Sequence, residues 1–225
     1  MNILLVNPKY PDTFWSFKHI LRFVSKKAAY PPLGLLTVGA MLPEEWNKKL
    51  IDVNVTELKD EHIDWADMVF IGAMIVQMES AQEIIDICKA QGATVVAGGP
   101  GFTTQHEKLG GVDHFVLNEA EVTLPLFLDD LKNGGPKPVY SSPIKPDITG
   151  TPIPLWSLIN IEDYSTMGVQ YSRGCPFNCE FCDIVVMNGR VSRTKTPHQL
   201  LGELQSLYDT GWRAAWYLLA GITAL

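Results

Sequence analysis

The sequence has little of what usually marks a metal, nucleic-acid or membrane protein. Its five histidines, His19, His62, His106, His114 and His198, form no H-x-x-H or H-E-x-x-H spacing, which leaves them surface or capping roles rather than metal ligation. No apolar run approaches the roughly 20 residues that span a bilayer, so peripheral association is the one membrane option open to it. The start, Met1-Asn2-Ile3-Leu4-Leu5-Val6-Asn7-Pro8, has no basic n-region and too short an apolar run for a secretory signal, which predicts a reducing, cytoplasmic compartment. Charged residues make up 19% of the chain and sum to −7, so a nucleic-acid partner held by phosphate neutralisation is not expected. The G-x-G-x-x-G fingerprint of dinucleotide binding is also missing.

What remains is a globular pattern. With 225 residues, 46% of them hydrophobic, the chain can bury a substantial core in one or two domains. Short β-branched runs alternate with amphipathic stretches, the pattern of a parallel sheet flanked by helices. Strands are predicted at Ile3–Val6, Leu50–Val55, Met68–Ala73, Thr94–Ala97 and Phe115–Leu117. Helices are predicted near Leu33–Leu42, Ser80–Gln91 and Glu121–Lys132, which gives a doubly wound α/β domain over 1–133. Asn7-Pro8 and Gly98-Gly99-Pro100-Gly101 fall at carboxyl ends of strands, where open α/β sheets bind ligands. The first loop, about 25 residues long, is long enough to hold its own element. Phe17, Ile20, Leu21 and Val24 recur there at helical spacing, as a solvated capping helix or a membrane-touching one.

Residues 134–166 are heavily punctuated by glycine and proline and read as an interdomain linker. Beyond it, 167–225 opens with a strand at Gly168–Tyr171 and holds a helix over Gln199–Tyr208 that starts at Thr196-Pro197. Between them lies Tyr-Ser-Arg-Gly-Cys-Pro-Phe-Asn-Cys-Glu-Phe-Cys, which spaces Cys175, Cys179 and Cys182 as C-x3-C-x2-C. Three thiolates on a cubane of four irons leave one iron open, as a cluster that binds a substrate-like cofactor requires. A tetrahedral zinc site would want a fourth ligand nearby, and His198 lies sixteen residues beyond Cys182. Three buried structural thiols are the plain alternative, the reading given to Cys88 in its apolar helical run. Arg173, Arg190, Arg193 and Lys195 make this segment locally basic, which points to an anionic cofactor or substrate. Glu119 and Glu121 admit two readings, contact with a cofactor or complement to a helix dipole.

The cysteine run resembles the signature of the radical S-adenosylmethionine (SAM) superfamily, with Phe181 in its aromatic place. The resemblance implies a 4Fe-4S cluster on Cys175, Cys179 and Cys182, Phe181 near the adenine of SAM, and an electron donor that reduces the cluster. It further implies cleavage of SAM to a 5′-deoxyadenosyl radical within a partial (β/α) barrel of about six units. Ala97-Gly98-Gly99-Pro100-Gly101, Pro31-Pro32-Leu33-Gly34-Leu35-Leu36, Gly111-Val112-Asp113-His114 and Asn118-Glu119-Ala120-Glu121 together resemble the cobalamin-binding domain that precedes many radical SAM cores. On that resemblance Leu33, Gly34, Gly98, Gly99, Pro100 and Glu119 would face cobalamin. D-x-H-x-x-G, whose histidine is a lower cobalt ligand in other cobalamin proteins, is absent. Tyr10–Pro32 is similar to cobalamin-type radical SAM proteins near the hopanoid C-2 methylases, which act on a lipid.

The expected function is therefore methyl transfer to an unactivated carbon of a small-molecule or lipid substrate. Only one further strand is expected after Gly211-Trp212-Arg213, so the sequence reads as truncated or frame-shifted within the barrel. The alternative is a catalytically inactive product that keeps only a cobalamin-type binding module.

Overall fold

The computed structural model describes residues 1–13, 18–177, 179–180, 182–213 and 217–220. Among these the strands are β1 (Asn2–Asn7), β2 (Asn47–Asp52), β3 (Met68–Gly72), β4 (Thr94–Gly98), β5 (His114–Val116), β6 (Val139–Tyr140), β7 (Met167–Gln170), β8 (Ser172–Arg173), β9 (Arg193–Thr194) and β10 (Tyr217–Ala220). The helices are α1 (Lys18–Leu21), α2 (Leu33–Met41), α3 (Asp60–Asp64), α4 (Met78–Ala90), α5 (Pro100–Gln105), α6 (Ala120–Lys132), α7 (Ile184–Asn188) and α8 (Pro197–Asp209).

Six strands form one parallel sheet in the order β2-β1-β3-β4-β5-β6. The pleat sends alternate residues to opposite faces, and both faces are apolar, as a sheet covered on both sides requires. Leu4, Val6, Val69, Ile71, Val95 and Ala97 pack with Ile84, Ile85 and Cys88 of α4. Ile3, Leu5, Phe70 and Val96 point the other way, onto Leu35 of α2 and Leu124 and Phe127 of α6. Cys88 is fully buried in the first of these cores, and burial pushes its thiol up to about 11, so it is an inert core residue.

Helix α2 serves two cores. Leu35 joins the sheet, while Leu36 packs with Trp156, Tyr164, Met167, Val169, Leu207 and Trp212 of the second unit. Its sequence, LGLLTVGAM, is apolar all round for that reason. In the second unit β7 pairs β10 in parallel, with α8 between them in sequence, a β-α-β arrangement. The expected N-cap of α8 is present: the Thr196 side chain accepts from the Gln199 amide at 3.2 Å, and the Gln199 side chain accepts from the Thr196 amide at 3.3 Å.

Several expectations shift. Strand β2 runs Asn47–Asp52 rather than Leu50–Val55; it is an edge strand with Lys48 and Lys49, so its apolar signal is weak. Segment 134–166 contributes β6 to the sheet and buries Ile148, Trp156 and Tyr164. The first loop does hold a short helix, α1, with Leu21 buried but Ile20 and Val24 exposed. Phe17 lies outside the described residues.

Candidate functional site: a cleft at the sheet's switch point and the cysteine segment beside it

Because β1 pairs with β2 on one side and β3 on the other, the strand order reverses there, and a crevice opens at the carboxyl ends. A cavity of about 260 Å³ occupies this place, far above the ~15 Å³ that holds one water. Leu33, Gly34, Gly98, Gly99, Pro100 and Glu119, drawn from three separate stretches of sequence, all line it. Gly99 has φ +95°, and a Cβ there would stand 3.1 Å from the Ala73 carbonyl oxygen, so the turn after β4 admits only glycine without strain. A Cβ on Gly34 would meet nothing within 4 Å, since that face of α2 is open. Leu33, Val38, Met41, Phe70 and Met74 supply apolar walls, and Asn7, Gln77, Thr103 and Asn118 supply amide and hydroxyl groups.

The polar end of the cleft is a buried network that sequence reading missed. Gln77 Nε2 donates to Asn7 Oδ1 at 3.2 Å and to the Pro8 carbonyl at 2.6 Å. Asn7 Nδ2 donates to Asp52 Oδ1 at 3.0 Å, which also receives the Asn54 amide at 3.0 Å and side chain at 2.7 Å. Burial pushes the Asp52 carboxyl above its ordinary value, against those hydrogen bonds. Burial and then the Asp52 charge push the nearby Tyr10 hydroxyl up to about 12, so it stays a neutral donor, bonded to Met74 Sδ at 3.6 Å. The one visible signal in sequence was Asn7-Pro8 ending the first strand.

The cysteine segment stands against the same cleft: Arg173, Met187 and Asn188 line it, with Gly168 and Gln170 of β7. Its neck is the antiparallel pair β8–β9, in which Ser172 faces Thr194 and Arg173 faces Arg193. Gly174, at φ +88°, turns the chain into the loop where a Cβ would collide with the Val191 carbonyl. Cys175 is buried and its amide donates to the Gly189 carbonyl at 3.1 Å; Cys179 is exposed, and Cys182 is half-buried with its amide on the Cys179 carbonyl at 3.1 Å. All three thiols are free, a soft donor set suited to iron and sulfide. Among the described residues no three His, Cys, Asp or Glu side chains are drawn together tightly enough to hold a metal ion. Phe181 lies outside the described residues.

Arg173 and Arg193 of this segment meet protein carboxylates. Arg193 forks onto Glu119, Nη2 to Oε1 at 2.8 Å and Nη1 to Oε2 at 2.9 Å. Arg173 reaches Glu121 at 2.8 and 2.9 Å and Glu119 at 3.0 Å. Burial alone would raise the Glu121 carboxyl, but the hydrogen bond and charge of Arg173 hold it below its ordinary value. Lys195 pairs with buried Glu203 of α8. Arg173, Arg193 and Lys195 are thus paired with protein carboxylates, Arg173 while also lining the cleft; Glu119, the N-cap residue of α6, and Glu121, in its first turn, line the cleft too.

Comparison with known proteins places this geometry. The model of the B12 binding domain matches residues 22–128. An uncharacterized methyltransferase of Synechocystis sp. is 46% identical over 97% of this chain and 41% of its own length. Hopanoid C-2 methylase of Rhodopseudomonas palustris is 32% identical over 96% of this chain and 42% of its own. This chain therefore spans about two fifths of those relatives. The fold is shared with the cobalamin-dependent SAM radical enzyme OxsB (TM-score 0.67, 20% identity, 93% of this chain and 32% of that one). It is shared too with the radical SAM methyltransferase TsrM of Kitasatospora setae (TM-score 0.63, 17% identity, 93% of this chain and 46% of that one). No helix among the described residues is long and apolar enough to cross a membrane. Residues 22–128 thus match a B12 binding domain built on a parallel sheet, a cysteine-bearing β-α-β unit follows it, and the chain is similar to hopanoid C-2 methylase over nearly all of its own length.

Proposed function

We propose that the chain is the cofactor-bearing part of a cobalamin-dependent radical SAM methyltransferase acting on an unactivated carbon of a small-molecule or lipid substrate. The observation that carries this reading is the convergence of two motifs on one cleft. Gly98, Gly99 and Leu33 line it from the sheet domain, and Arg173, Met187 and Asn188 line it from the cysteine segment. When bound, a reduced 4Fe-4S cluster supplies the electron that cleaves SAM, and cobalamin supplies a transferable methyl group.

The residues present suit both groups. Gly98 and Gly99 line the cleft with backbone, packed so closely on the Val116 and Ala73 carbonyls that a Cβ at either position would crowd them. Leu33, Phe70 and Met74 give the cleft apolar walls for the faces of a corrin. Cys175, Cys179 and Cys182 would hold the iron, with Phe181 beside the adenine of SAM. Among the described residues no histidine lines the cleft.

The second reading is a cobalamin-binding module without turnover. Anaerobic iron and sulfide loading, followed by EPR of the reduced protein with and without SAM, separates the two. A four-iron signal that SAM perturbs supports the enzyme reading. Cobalamin binding with no such signal supports the module, and failure to bind either group removes both.

A further inference from the structure

We propose that Glu119, Glu121, Arg173 and Arg193 form a clamp that positions the cysteine loop against the cleft. The observations are geometric. Arg173 and Arg193 face each other across the two-residue ladder at the neck of the loop. Like charges directly opposed on such a ladder repel. Here Glu119, at the start of α6, takes both guanidinium groups and Glu121 takes Arg173 as well, with all five contacts between 2.8 and 3.0 Å. Arg193 also donates to the Pro146 carbonyl at 2.6 Å and the Asn188 carbonyl at 2.9 Å, so one side chain joins the Gly/Pro-rich segment, the end of α7 and the sheet domain.

Burial makes this arrangement a poor stabiliser and a good locator. Glu119, Glu121, Arg173 and Arg193 keep only 6, 11, 13 and 13% of their side-chain exposure, and their charges cancel. Desolvating four charges consumes much of what their attraction returns, so an apolar cluster of the same volume would hold the fold as well. What an apolar cluster lacks is direction: a guanidinium fork on a carboxylate fixes distance and angle together. Arg173 stands two residues before Cys175, and Glu119 and Arg173 both line the cleft. A group filling the cleft therefore touches the clamp, and the clamp holds the loop, which couples the two sites. The catalytic meaning of that coupling rests on the function proposed above; the clamp itself does not.

The test is hydrogen–deuterium exchange on the whole chain for the wild type, Arg193→Lys and Glu119→Gln, first with no cofactor added. Peptides spanning residues 172–194 should exchange about tenfold faster in both variants, while those from β1, β3 and β4 stay at the wild-type rate. Acceleration spread evenly over the sheet, or none in 172–194, overturns the clamp. In the second arm hydroxocobalamin is added: it should slow exchange of 172–194 in the wild type and leave it unchanged in Arg193→Lys, a difference that a purely structural role would not produce. Equal slowing in both proteins overturns the coupling. If the wild type binds no hydroxocobalamin by absorbance, the proposed function fails while the first arm still decides the clamp.

Discussion

Tyr164 Oη donates to Asp52 Oδ2 at 3.1 Å, a buried bond that joins the end of the Gly/Pro-rich segment to the end of β2, 112 residues earlier. It seats the second unit on the sheet domain, with Leu36 and Trp156 packed around it. Tyr164→Phe removes that donor from a buried carboxylate oxygen and should cost about 1–3 kcal/mol. Urea unfolding of the variant checks this, and a midpoint equal to that of the wild type would refute it.

Glu121 and Asp52 respond to pH in opposite senses. Glu121 is held below its ordinary value of 4.5, so its contribution is complete above that pH and is lost as pH falls through the lower, folded value. Asp52 lies above its ordinary value of 3.8, so its folded-state cost grows as pH rises from there through the folded value. Denaturation of wild type and Glu121→Gln across pH 3 to 7, read as about half-unit steps, should show the gap between them closing at the acid end. A constant gap would count against the Glu121–Arg173 bond.

Lys195 and Glu203 are 4% and 1% exposed, and among the described residues Glu203 Oε2 has no hydrogen-bond partner. Burial, only partly offset by Lys195, leaves the Glu203 carboxyl above its ordinary value. Lys195→Met strands that acid and should cost about 3–5 kcal/mol, whereas the double change Lys195→Met with Glu203→Leu should recover most of the loss. Additive effects in the thermal melts would contradict this.

Gly99→Ala puts a Cβ against the Ala73 carbonyl at positive φ and should destabilise by about 1–3 kcal/mol. The displaced turn narrows the cleft floor, so hydroxocobalamin titration followed by absorbance should weaken. Unchanged affinity would move the corrin elsewhere.

Replacing Cys175, Cys179 and Cys182 together with serine should abolish iron uptake on anaerobic loading and leave hydroxocobalamin binding intact. Iron analysis of the loaded protein decides it: retention of iron by the triple variant would exclude these thiols as the ligands.

The sequence alone determined the parallel sheet, since five β-branched runs between amphipathic stretches have few other ways to bury both faces. It also determined the two motifs: the cysteine spacing is local chemistry, and glycine at 99 is a local backbone demand. The two residues of β6 were invisible because so short a strand carries no period and sits among prolines. Arg173, Arg193 and Lys195 were read as cations awaiting an anion, because a sequence displays charge without its partner. Their carboxylates lie 52, 74 and 8 residues away, and only chain packing brings the first two to bonding distance. The same holds for the cleft: Leu33, Gly98 and Glu119 could be named singly from motifs, but the reversal of strand order between β1 and β3 made them one site. Tertiary structure decided how the acids and arginines are used, because long-range ion pairs depend on which strand ends the topology sets side by side.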